Sequence, residues 1–163
     1  TTNEEIIVAE NLKQKALKEK ADMENVNKLL KKEQELQNKI KIQSIKDDII
    51  KNITTQNDVN SFIGELDLDP KSIKELCFML SDKFENLFLI LISKSEEKVF
   101  ISCFISKNLI EEKELNASKI IRELSPLING SGGGQPFYAT GGGTNKNGIE
   151  KVITESKKII TQL

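Results

Sequence analysis

Seven of the nine glycines fall in one stretch, Gly130-Ser131-Gly132-Gly133-Gly134-Gln135-Pro136-Phe137-Tyr138-Ala139-Thr140-Gly141-Gly142-Gly143. Two glycine triplets bracket a short segment that carries an amide, a proline and two rings. Glycine lets a phosphate, a base or another backbone approach closely. Successive backbone N–H groups in such a loop form an anion-binding concavity, which a following helix N-terminus reinforces. The segment therefore reads as a ligand-contacting loop. The competing reading is a tight backbone crossing, where glycine is needed only for close packing. Nucleotide hydrolysis has no support, because neither G-x-x-x-x-G-K-[ST] nor G-x-G-x-x-G after a strand is present. A flexible linker is a poor fit to Pro-Phe-Tyr.

Phe137 and Tyr138 are the only aromatics in this stretch. The other six, Phe62, Phe78, Phe84, Phe88, Phe100 and Phe104, lie in predicted core elements. Strand alternation would turn one of the two rings outward, where it offers a stacking platform for a base or ribose. If both pack inward, the loop is structural. Lys119, Arg122, Lys146, Lys151, Lys157 and Lys158 supply cations around it. Residues 103–163 carry a net +2, against −4 for residues 54–102. Arg122 is the single arginine, and its fork suits a phosphate; its plain role is a surface charge.

The chain has no histidine among its 163 residues. That excludes Ser-His-Asp and Cys-His catalysis, histidine-containing zinc sites and histidine as general base. Cys77 and Cys103 are too few for a four-thiolate zinc site or a disulfide framework. Both sit in apolar runs and read as buried structural thiols. The net charge of −1 argues against a strongly basic nucleic-acid binder, so any such contact must be local. No apolar run approaches the roughly 20 residues of a membrane span. The start, Thr-Thr-Asn-Glu-Glu, has neither a basic n-region nor an h-region and no initiator Met, so a cytoplasmic fragment of a longer chain is expected.

These groups need a scaffold. Residues 4 to about 53 lack Gly and Pro and are rich in Lys, Glu, Gln, Asn and Leu, the composition of one long helix. A heptad frame runs Ala9, Leu12, Ala16, Glu19, Met23, Val26, Leu30, Glu33, Gln37, Ile40, with Leu29 and Leu36 widening the stripe. Glu19, Glu33 and Gln37 interrupt it, so the seam is imperfect. Such a stripe must be buried against a second helix or a second chain. After a polar break at residues 54–58, a strand is predicted at Val59 to Leu66. Asp69-Pro70 then caps and opens a helix with the apolar face Ile73, Leu76, Cys77, Leu80 and Phe84. Strands follow at Leu87 to Ile92 and Val99 to Ile105, then a helix from about Asn116 to Ile128. After the glycine loop, a last helix runs from about Gly148 to Leu163. The fold class is α+β: a long N-terminal coiled-coil helix (1–53), then a small layered α/β domain with a Gly-rich loop (54–163).

The stretch from Gly132 to Gly142, in this order of elements, resembles the glycine-rich signature near the C-terminus of bacterial alanyl-tRNA synthetases, where it closes the DHH-associated or C-Ala domain. The likeness extends over essentially the whole chain. One departure is plain: the commoner form of the motif has Arg after the glycine triplet and an acidic residue after the Pro, where this chain has Gln135 and Phe137. A hydrogen bond or a stack would then replace a charge contact with phosphate. The resemblance implies a noncatalytic module that clamps the elbow of alanine tRNA, helps aminoacylation and editing act on one tRNA, and dimerises through its helix. It implies no cofactor in this segment; ATP, magnesium and zinc would belong to upstream synthetase domains, themselves expected partners. The residues expected to contact RNA are Gly132, Gly133, Gly134, Gln135, Phe137, Tyr138, Arg122 and Lys146. Two alternatives remain: a purely structural oligomerisation module, and the substrate-binding half of a DHH-type phosphoesterase. The latter needs an Asp-and-His metal cluster that this chain lacks.

Overall fold

The computed structural model describes residues 2–163. Helix α1 (Thr2–Asn52) leads into strands β1 (Thr54–Gln56) and β2 (Val59–Glu65), helix α2 (Pro70–Ser81), and strands β3 (Leu87–Lys94) and β4 (Val99–Ile105). Helices α3 (Lys107–Lys113) and α4 (Ala117–Leu124), with a 3₁₀ turn (Ser125–Ile128), precede strands β5 (Ser131–Gly134) and β6 (Tyr138–Gly143). A second 3₁₀ turn (Lys146–Gly148) starts helix α5 (Ile149–Thr161). The long helix followed by a mixed α/β domain is the expected class.

Six strands form one sheet in the order β1-β2-β3-β4-β6-β5. Only β2 and β3 run parallel, joined through α2; the other pairs are antiparallel. Strand β3 reads as an unbroken apolar run because both faces of the sheet are covered. Phe88, Ile90 and Ile92 join Ile101, Cys103 and Ile105 on one face, under Ile120, Ile121 and Leu124 of α4 and Ile149 and Val152 of α5. Leu87, Leu89 and Leu91 face the other way, onto Ile73, Leu76, Cys77 and Leu80 of α2 and Ile42 and Ile49 of α1. Asp69 opens α2 as expected: its carboxylate accepts from the Ser72 N–H at 3.2 Å, and Pro70 takes the first helical position.

Four features differ from the sequence reading. The glycine segment is a β-hairpin, β5–β6, at the edge of the sheet rather than a loop. The polar break is also a hairpin, with β1 turning into β2 through Asn57 and Asp58, both at positive φ (52° and 62°), the backbone of a two-residue primed turn. Helix α3 was not expected; it is short and ends at Glu114 in the left-handed region. Finally, the chain divides between Lys41 and Ile42, not at the helix end near residue 53. The last turns of α1 bury Ile42 and Ile49 in the second core and so belong to the globular unit. Within the unit that ends at Lys41, the heptad residues Leu12, Met23, Val26, Leu30 and Ile40 are all more than half exposed.

Candidate functional site

The Gln135–Phe137 turn is pinned on both sides. The Gln135 N–H donates to Tyr138 O at 2.8 Å, the Ile105 N–H at the end of β4 donates to Phe137 O at 2.9 Å, and the Ala117 N–H at the start of α4 donates to Pro136 O at 2.9 Å. Asn116 caps α4 by accepting from the Ser118 and Lys119 N–H groups. The turn is thus a fixed projection of the sheet edge, with Gln135 and Phe137 exposed at its tip.

The two rings have different fates. Phe137 is 42% exposed. Tyr138 is half-buried and held on the α2 face of the sheet, with the Lys74 ammonium 5.7 Å above its ring. Burial raises the Tyr138 phenol above its ordinary pKa, and a hydrogen bond with Ser102 opposes that shift. Phe137 alone is therefore free to stack, whereas Tyr138 is a strut between β6, β4 and α2.

The glycines also divide. A Cβ on Gly132 would overlap Thr140 O and Gly141 Cα across the hairpin. One on Gly143 would overlap Ile128 O, and one on Gly148 would overlap Leu127 O. A Cβ on Gly134 would come within 2.7 Å of Ala139 Cα and Tyr138 O. These glycines serve close backbone packing. Gly133 does not: a Cβ there would meet only Ser118 Oγ at 3.7 Å and the Arg122 guanidinium from 3.8 Å, ordinary contacts. Gly142 has similar room, 3.6 Å from the Phe100 ring. Both readings of the glycine stretch thus hold, at different positions.

The exposed Arg122 guanidinium lies beside Gly133, and Ser118 Oγ accepts from the Gly134 N–H at 3.3 Å. Gly132, Gly133, Gly134, Gln135, Phe137 and Arg122 therefore share one end of the hairpin. Lys146 does not join them. It lies beyond the far end of β6, where its ammonium donates to Glu96 O in the β3–β4 turn. Sequence reasoning also missed Phe78, which it assigned to the core. Phe78 is 43% exposed, and the Ile73-Leu76-Cys77-Leu80-Phe84 stripe had already left it off the apolar face of α2. Both thiols are buried, as expected. Burial pushes Cys77 up to about 12 and Cys103 higher still, so neither is a nucleophile. Among the described residues no cluster of His, Cys, Asp or Glu could hold a metal, and no helix is long and apolar enough to cross a membrane.

This mixed sheet, edged by a glycine hairpin and covered by helices on both faces, can be set beside known proteins. The DHHA1 domain model matches residues 49–162, and the chain belongs to that family. Within it, the chain is similar to part of the alanine–tRNA ligase of Christiangramia forsetii, 38% identical over 137 residues that cover 84% of this chain and 16% of the ligase. The ligase of Flavobacterium psychrophilum is 35% identical over 90% of this chain and 17% of its own length. The chain thus spans about a sixth of the ligases it matches. The crystal structure of the C-Ala domain from Aquifex aeolicus alanyl-tRNA synthetase superposes with a TM-score of 0.58. The match covers 66% of this chain and 97% of that domain at 24% identity, a likeness of fold.

Proposed function

We propose that this chain is the C-terminal module of an alanine–tRNA ligase and that it grips the tRNA elbow, keeping one tRNA attached while upstream domains aminoacylate and edit. Membership of the DHHA1 family and the similarity to alanine–tRNA ligases support the parent. The observation that carries the RNA contact is the pinned turn, which presents Phe137 at its tip, on the hairpin whose strand β5 carries Gly133 next to Arg122. Rigid presentation lowers the entropic cost of binding. The contact would recognise the shape and splayed bases of the elbow rather than a long sequence. ATP, magnesium and zinc chemistry, where the parent uses it, belongs to the other domains, and the working compartment is the cytoplasm. Phe137→Ala is expected to weaken tRNA binding about tenfold, in line with about 1–3 kcal/mol per stacked base, without a change in melting temperature. Unchanged affinity would remove Phe137 from the contact.

The exposed stripe on α1 supports a second role, as a dimerisation arm. Of the large apolar side chains between Ile6 and Ile40 that are at least 52% exposed, Leu12, Met23, Val26, Leu30 and Ile40 share the heptad frame, with Leu29 and Leu36 beside it, more than a solvated helix needs. Sedimentation of the full chain is expected to show a dimer that dissociates on dilution. A monomer at high micromolar concentration would contradict this role.

A further inference from the structure

We propose that a groove of about 660 Å³ beside the glycine hairpin is a pocket for an unstacked RNA base; the proposal rests on the RNA-binding reading above. The groove lies between α2, the end of β4, the start of α3 and the Gln135–Phe137 turn. Its volume falls within the range of about 300–1,000 Å³ typical of small-ligand sites. Four of the chain's eight aromatics line it: Phe78, Phe84, Phe104 and Phe137.

Among the described residues of the globular unit, the exposed large apolar side chains are Phe78 at 43% and Phe137 at 42%. Both line this groove, although they come from different elements. Phe78 lies off the buried Ile73-Leu76-Cys77-Leu80 stripe of α2, and Phe137 sits on the hairpin turn, so one amphipathic stripe does not explain their meeting. Phe104 is 5% exposed, and its ring meets Phe78 edge-on at 6.2 Å and 77°. That contact holds Phe78 in place and leaves it open to the groove.

The lining favours a base over an apolar helix. Grooves for amphipathic helices use adaptable aliphatic and Met surfaces; here the exposed surface is flat rings, which suit the π-face of any base. The rim supplies polar recognition. Asn108 is exposed and offers both a donor and an acceptor, as a base edge requires. Lys107 also lines the groove and offers an ammonium to a backbone phosphate; Glu85 in the same lining balances that charge, so the ring faces rather than the phosphate carry the fit. Neither Asn108 nor Lys107 makes an ion pair or a side-chain hydrogen bond among the described residues. The groove is also continuous with the proposed RNA surface, because Phe137 belongs to both.

The test is NMR on the full chain with ¹³C-labelled phenylalanine, titrated with AMP, GMP, CMP and UMP at millimolar concentration, alongside tRNA binding by wild type and Phe78→Leu. Saturable ring-current shifts are expected at Phe78 and Phe137, with the buried Phe88 unmoved. Phe78→Leu keeps the apolar volume but removes the π-face. It is expected to weaken tRNA binding about tenfold and to leave the melting temperature unchanged. If wild type binds tRNA while the nucleotides leave both rings unmoved and Phe78→Leu binds equally well, the pocket is overturned and the RNA reading stands. If wild type fails to bind tRNA, the RNA reading falls, and the nucleotide titration alone decides the pocket. An equal response to cyclohexanol would show a general apolar patch and overturn the proposal.

Discussion

Raising the pH from 9 to 10 is expected to cost the fold about 2 kcal/mol, about 1 from each of two buried thiols that are half-deprotonated at pH 9 in the unfolded chain. Cys77 and Cys103 are buried on opposite faces of the central sheet. Burial raises the Cys77 thiol from 9.0 to about 12. It raises Cys103 further, with a smaller contribution from repulsion by Cys77. Both thiols therefore stay protonated in the folded state after the unfolded chain has begun to release its protons. Above pH 9 the unfolded state binds fewer protons, so stability falls as pH rises. Each thiol contributes a limiting slope of about 1.4 kcal/mol per pH unit. Stability is unaffected by this pair below the ordinary thiol pKa, and for Cys77 the loss continues to near pH 12. The raised Tyr138 phenol acts in the same direction at higher pH. Urea unfolding at pH 7, 9 and 10 measures the effect, with a Cys77→Ala, Cys103→Ala variant as reference. The variant is expected to be less stable at pH 7 but to lose much less between pH 9 and 10. Equal losses in the two proteins would show that the thiols are not the cause.

Adjacent glycines are expected to respond oppositely to the same added methyl. In Gly132→Ala the new Cβ would overlap a carbonyl oxygen and a Cα of β6, both backbone atoms. Neither can rotate away, so the hairpin must shift where Ile121 packs against it. Overpacking of this kind costs about 1–3 kcal/mol, and backbone overlap places this site at about 3 or above. The melting temperature should drop by several degrees. In Gly133→Ala the new Cβ meets only side-chain atoms at ordinary distance, and a less flexible unfolded chain offsets any small loss. Its melting temperature should match or slightly exceed that of wild type, while its tRNA affinity falls because the methyl fills space beside the Arg122 guanidinium that a phosphate would use. Calorimetry and a tRNA binding curve on both variants separate packing from contact. A Gly133→Ala protein as destabilised as Gly132→Ala would contradict the hairpin geometry. One that binds tRNA like wild type would remove Gly133 from the interface.

Most of the scaffold was legible because side-chain pattern reports burial. The unbroken Leu87-to-Ile92 run marked a strand covered on both faces, and Asp69-Pro70 marked a helix start before any contact was known. The glycine hairpin was not legible for the same reason. Strands are recognised by alternating side chains, and Ser131 to Gly134 has almost none; what makes it a strand is its pairing with β6 and the weight of α4 above it. Helix α3 is too short to show a period, and Asn57-Asp58 reveals a turn only through the positive φ that both residues tolerate. The division at Lys41 was hidden because the helix runs on past it; only packing shows that Ile42 and Ile49 serve a different core. Within the site, residue types pointed to the right end of the hairpin but not to its partition. Whether Tyr138 or Phe137 faced outward depended on Lys74 and Ser102, remote in sequence. Lys146 follows Gly143 at the far end of β6 from the Gln135–Phe137 turn, and there its ammonium is taken by Glu96 O.

The measurement that bears most directly on the central claim is the affinity of the full chain for alanine tRNA against a tRNA whose D and T loops cannot pair, each at 50 and 200 mM salt. The predicted result is tighter binding to the intact elbow and a loss of affinity with salt, as expected when a few phosphates are neutralised. Equal binding to both RNAs, or none at low salt by a well-folded chain, would contradict the elbow clamp and leave the α1 arm as the working part.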